Sequence, residues 1–173
     1  MIMKLKKVII NSLFLAIGTV LAQVIPPVFF GMKPGTGLVM LFIIIMLNDD
    51  YKTCLTAGLV LGLLAAGTTS FPGGQIPNFI DKIITVNVLF FLLKPLRNRL
   101  NNQITIVLTS ALGTAISGTS FLFLALMTVG LPTKFNILLF TVVLPACVIN
   151  TVLSSILYNA INAAIKRADI KEI

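Results

Sequence analysis

The sequence predicts an all-α integral membrane protein: a six-helix transmembrane bundle with a short or irregular second helix and both termini on the cytoplasmic side. Three observations lead there. Of 173 residues, 57% are hydrophobic and 10% charged, against roughly 45–50% and 25% in an ordinary soluble domain. The apolar residues gather in six long runs divided by Gly, Pro and charged residues, a pattern that lipid rather than water solvates. The basic residues fall on alternate connections: Lys4, Lys6, Lys7, Lys52, Lys94, Arg97, Arg99, Lys166, Arg167 and Lys171 on one side, Lys33, Lys82 and Lys134 on the other. By the positive-inside rule the first group is cytoplasmic.

The elements are ordered along a single domain. A spanning helix needs about 20 apolar residues, within a range of about 17–25. Residues 8–25 meet this and stop at Pro26-Pro27. The basic start and apolar run imitate a secretory signal, but the next segments are equally apolar, so this one reads as a retained first helix. Residues 36–48 hold an apolar run, Leu38 to Leu47, that covers only about half of the hydrocarbon core at about 1.5 Å per residue. That element is expected to be tilted, extended or partly re-entrant. Residues 53–69 come next, then 76–94, long enough only if Asp81 and Lys82 are inside the helix. Residues 104–129 and 135–164 are ample, and Pro145 in the last frees the carbonyl of Thr141, which predicts a bend.

Absences narrow the function. The chain has no histidine, which removes Ser-His and Cys-His nucleophilic systems and the commonest transition-metal ligand. No G-x-x-x-x-G-K-[ST] phosphate loop occurs, so energy for pumping has to come from another subunit or an ion gradient. The net charge of +8 is accounted for by topology signals, not by a nucleic-acid patch. Cys54 and Cys147 lie in apolar segments as reduced packing residues. An enzyme acting on lipid or isoprenoid needs clustered carboxylates, and the one adjacent pair, Asp49-Asp50, reads as a solvated turn that caps a helix. Neither a catalytic residue, a metal site nor a cofactor is expected.

The segment from Phe71 to Lys82 is where polarity departs from the rest. At about 100° per residue, Asn78, Asp81, Lys82 and Thr85 occupy an arc of about 100° on one helix face. Facing lipid such a stripe is costly, so it should face the bundle interior or a wet cavity. An α-amino acid carries an ammonium and a carboxylate, for which Asp81 and a lysine, Lys82 or Lys33, are matched counter-ions. The competing reading is a local Asp81 pairing with Lys82 or Lys33 that anchors the helix. Phe29, Phe30, Phe71 and Phe79 sit on or beside the outward loops, where they could stack on a planar ligand. In the last segment Cys147, Asn150, Thr151, Ser154 and Tyr158 share one face; the Asn150 amide reads either a ligand or a neighbouring helix. Small residues recur at four-residue spacing as Ser12 and Ala16, as Gly58, Gly62 and Ala66, and as Ser110, Thr114 and Gly118, predicting close helix seams.

Taken together, the basic N-terminus, Pro26-Pro27, Phe29-Phe-Gly-Met-Lys-Pro34, Phe71-Pro-Gly-Gly-Gln-Ile-Pro-Asn-Phe-Ile-Asp-Lys82, Val129-Gly-Leu-Pro132 and Leu144-Pro-Ala146 with Asn150-Thr151 resemble a known family. They resemble the tryptophan-specific members of the substrate-binding subunits of energy-coupling-factor transporters, over essentially the whole chain. The resemblance implies a six-helix subunit of the bacterial cell membrane that captures tryptophan from outside, beneath the loop after the first helix. It implies partners as well: a transmembrane coupling subunit driven by two cytoplasmic ATPases, with the substrate subunit tilting in the membrane for inward release. Lys33, Gln75, Asn78, Asp81 and Asn150 carry over as binding candidates, beside Phe71 and Lys82 from the residues themselves. Ser12 and Ala16 are the nearest match to the coupling contact on the first helix, with serine where the family usually has alanine. A ring-containing vitamin as ligand, or a solitary ion-coupled amino-acid carrier, remains the alternative.

Overall fold

The computed structural model describes residues 2–26, 35–96 and 100–167, with side chains from Leu5 onward. Its helices are α1 (Ile2–Val24), α2 (Thr36–Leu47), α3 (Tyr51–Thr68), α4 (Gln75–Leu93), α5 (Asn102–Thr128), α6 (Phe135–Leu138) and α7 (Leu144–Arg167). A five-residue π-helical turn, Leu139–Val143, joins α6 to α7 in one continuous span. The expected six-helix architecture is borne out, with α1, α3, α4, α5 and the α6–α7 span each long and apolar enough to cross a membrane.

The short helix is the centre of the bundle. Every residue of α2 from Thr36 to Ile45 is buried, and α1, α3, α4, α5 and α7 all touch it. A helix apolar on every side has no face to offer water, so enclosure is its stable place. At about 1.5 Å per residue it rises about 18 Å, too little to span, but neighbours rather than lipid surround it. It is therefore a regular helix, neither extended nor re-entrant. Its buried ends are satisfied individually, as helix termini must be. The Thr36 hydroxyl donates to the Gly18 carbonyl at 2.6 Å, the Gly35 N–H donates to Asn150 Oδ1 at 2.9 Å, and Asn48 Nδ2 donates to the Ile44 carbonyl at 2.9 Å.

Small residues set the remaining seams. A Cβ on Gly58 would lie 2.7 Å from Val86 Cγ1, and one on Gly62 3.0 Å from Phe79 Cδ2, so α3 and α4 approach closely there. Between α5 and α7 the Ser110 and Ser154 hydroxyls meet at 2.8 Å, and Asn150 Nδ2 donates to Thr114 Oγ1 at 3.2 Å. Asp50 caps α3 by accepting from the Thr53 hydroxyl and N–H. Those two bonds, the hydroxyl first, hold its carboxyl below the ordinary value. Just before Pro145 the span carries its π-helical turn, an inserted residue of the kind found at functional sites. By contrast α1 is peripheral, with Leu5, Val8, Ile9, Leu13, Ile17, Val20 and Val24 exposed as a lipid-facing helix would have them.

Candidate binding site

The site is built on the first turns of α4. Gly73 adopts a φ of 70°, a left-handed turn open to glycine, and the chain then enters the helix at Gln75. Thr69 Oγ1 accepts from Asn78 Nδ2 at 2.8 Å and from the Phe71 N–H at 3.3 Å, which ties the preceding loop down onto the helix. One turn deeper, Asp81 and Lys82 are 1% and 8% exposed. Side chains at successive helix positions normally diverge; here both turn into the space between α4 and α5. Lys82 Nζ donates to Asp81 Oδ1 at 2.8 Å, to Asp81 Oδ2 at 2.7 Å and to Ser117 Oγ at 3.2 Å. Ser117 in turn donates to Asp81 Oδ2 at 2.8 Å. A charge pair withdrawn from water gains little net stability unless other hydrogen bonds complete it, and inside a membrane it makes a candidate site.

A cavity of about 200 Å³ opens beside this group. Asp81, Lys82, Asn78, Ser117, Thr114 and Asn150 form its polar wall, while Leu38, Phe121, Val142, Val143 and Ala146 form the apolar one, with Gly35 and Gly118 between them. It lies in the half of the bundle that the charge distribution assigns to the outside. Phe71 is not in the lining but meets Phe121 edge to face with ring centroids 5.4 Å apart at 86°, a favoured aromatic geometry. A second cavity of about 200 Å³ adjoins it on the α1, α2 and α3 side, lined by Thr19, Ala22, Gly37, Leu61, Ala65 and Thr68. Gly35, Leu38, Asn78 and Lys82 border both.

Four of the residues singled out from sequence, Asn78, Asp81, Lys82 and Asn150, therefore converge on one space. Phe71 is half-buried against Phe121. Gln75 is exposed and away from the lining. Lys33, with Phe29 and Phe30, lies outside the described residues. Among the described residues Asp81 is partnered by Lys82 and Ser117. Phe79, expected at the mouth, instead fills the α3–α4 seam against Gly62. Asn150 is engaged at both ends of its amide, so it holds α2 and α5 to α7. Sequence reasoning missed Ser117 and Phe121. The signal was the buried stripe Ser110, Thr114, Ser117 at helical spacing, which leads on to Phe121.

The pocket is polar and charge-paired on one side and apolar on the other, within a bundle of apolar helices, a combination that suits a small charged ligand. Comparison with known proteins agrees. The family model for "Tryptophan transporter TrpP" matches residues 4–166. The chain belongs to this tryptophan transporter family. It is 54% identical over 164 residues to a "Probable tryptophan transport protein" of Clostridium acetobutylicum, covering 95% of this chain and 96% of that one. Proteins with the same description from Clostridium perfringens and Bacillus subtilis are 40% identical over 174 residues and 42% identical over 170. No solved structure matches the chain. The resemblance to the tryptophan-specific family, read over essentially the whole chain, is thus borne out. The TrpP family is one of transporters, not enzymes, and the chain is a multi-pass membrane protein.

Proposed function

We propose that this TrpP family member captures tryptophan from the outside in the Asp81–Lys82 cavity and delivers it inward while docked on an ATP-driven coupling module. The observation that carries the reading is the pairing of opposite charges on the polar wall of a cavity whose other wall is apolar and aromatic. An amino-acid zwitterion needs one group of each sign, and an indole needs the apolar side. Asp81, Lys82, Asn78 and Ser117 would hold the charged end, with Phe121 beside the ring and Phe71 steadying Phe121. A solitary ion-coupled carrier fits less well, because the carboxylate that would take the ion already holds an ammonium.

A different face supports the docking half of the proposal. Ser12 and Ala16 are exposed on α1. Ser12 lines an inner-half groove of about 200 Å³ between α1 and α3, with Asn11, Lys52, Thr53 and Thr56. Asn11 is 6% exposed and its Nδ2 finds no hydrogen-bond partner among the described residues. A buried amide without an acceptor is costly, so this wall of the groove is left incompletely satisfied.

The chain contains no tryptophan, so bound ligand is its own fluorescent reporter. Purified protein titrated with tryptophan should blue-shift the ligand's emission, and Asp81→Asn should lower affinity by about 30-fold or more, the usual scale for stripping one member of a buried charged pair. Absence of any spectral shift or heat with tryptophan would sink the proposal. Uptake in reconstituted vesicles should require the coupling and ATPase subunits.

A further inference from the structure

Asp81 and Lys82 are neighbours in sequence but not equals in the site. Asp81 is short, borders only the cavity toward α5 and α7, and is pinned by the Ser117 hydroxyl at 2.8 Å. Lys82 ends a flexible four-carbon stem and borders both cavities, so open space adjoins its side chain on two sides. We propose that the Lys82 ammonium is a built-in stand-in for the substrate's α-ammonium. In the empty protein it occupies the cradle formed by Asp81 and Ser117; on binding it gives that place to the substrate and moves to meet the substrate carboxylate. The inference rests on the tryptophan-capture reading and adds to it how the site selects a zwitterion.

The donor count supports the exchange. A primary ammonium has three N–H donors, and Lys82 Nζ uses three acceptors: Asp81 Oδ1 at 2.8 Å, Asp81 Oδ2 at 2.7 Å and Ser117 Oγ at 3.2 Å. An α-ammonium presents the same three donors to the same three oxygens. Asp81 is therefore satisfied before and after, and the empty cavity carries no net charge that would draw in a lone ion. The displaced lysine is satisfied only if the incoming molecule brings a carboxylate. A cation alone strands the Lys82 charge in a poorly solvated space, and an anion alone finds that charge already engaged; both are costly. The site thus rejects each half of the ligand by a group of its own.

The test compares tryptophan, tryptamine and indole-3-propionate on the intact protein and on Lys82→Met. The intact protein should prefer tryptophan to either analogue by about 100-fold or more, and Lys82→Met should cut the preference over tryptamine by about tenfold or more, since no stranded charge then penalises the amine. If Lys82→Met does not fold, the doubly neutral Asp81→Asn, Lys82→Met replaces it, and there the preference over tryptamine should fall to within about threefold. An undiminished preference in either folded variant overturns the inference while leaving tryptophan capture standing. Failure of the intact protein to bind tryptophan at all overturns the capture reading and this inference with it.

Discussion

At the scale of single residues, Asn150 decides how the cavity keeps its shape. Its Oδ1 accepts from the Gly35 N–H at 2.9 Å and its Nδ2 donates to Thr114 at 3.2 Å, so one amide joins the start of α2 to α5 and α7. A Cβ on Gly35 would lie 2.9 Å from Asn150 Nδ2, which leaves no slack in that contact. Asn150→Leu strands the Gly35 N–H, at a cost of about 1–3 kcal/mol. Thermal unfolding should drop by roughly 2–4 °C for each kcal/mol in a chain of this size, and tryptophan affinity should fall with it, because Gly35 lines both cavities. An unchanged melting temperature would remove Asn150 from this role. The residue was legible as one of a polar face on its helix. Its duty was not, since Gly35 is 115 positions away and nothing local distinguishes an amide that reads a ligand from one that joins helices. The same holds for Asp81: the stripe made it conspicuous, but finding that Lys82 and Ser117 complete it required the depth of α4 and the position of α5.

At the scale of elements, the enclosure of α2 depends on how closely α5 approaches it. A Cβ on Gly113 would press into the Phe42 ring and come within 2.8 Å of Leu89 Cδ1, and Phe42 and Leu89 are both fully buried. Gly113→Ala should therefore destabilise the bundle by about 1–3 kcal/mol through overpacking, despite alanine's better helix propensity. Phe42→Leu, mild in a well-filled core, should recover part of that loss in the double variant, since contacting residues couple. Equal unfolding temperatures for Gly113→Ala and the parent would refute the close approach. The segments themselves were legible because Gly, Pro and charges punctuate hydrocarbon runs, and the shortness of α2 came from counting residues. That α2 is central was not legible: a helix apolar on all sides has no periodicity to say which neighbours it meets. Ser117 escaped for a related reason. The small-residue pattern read as Ser110, Thr114, Gly118 continues on the buried side as Thr114 to Ser117, and a seam and a site share that spacing.

At the scale of the whole molecule, the cavity and the inner face are separated by packed side chains. Leu41, Phe42, Ile43, Ile44 and Ile45 of α2 are all inaccessible to solvent, as are Leu89, Leu93 and Ile106 around them. Interiors packed to this degree do not open gradually, so a path through the inner half would require the helices around α2 to part, α5 from α7 among them. The tilting motion implied by the family resemblance requires no such opening, because the subunit carries its cavity with it. The two routes separate at one contact. Ser110 and Ser154 join α5 to α7 through hydroxyls 2.8 Å apart, so Ser110→Cys with Ser154→Cys sets two thiols where a disulfide closes with little movement. The native Cys54 and Cys147 are both free and would be replaced by alanine to prevent other pairings. With the bridge formed, tryptophan binding should stay within about twofold of the reduced protein, since the bridge lies one helical turn below Thr114 and Asn150 and replaces a contact that α5 and α7 already make there. Uptake by the complete transporter should persist as well. Loss of uptake on oxidation, regained on reduction with binding intact, would mean that the bundle parts between α5 and α7 to release its ligand.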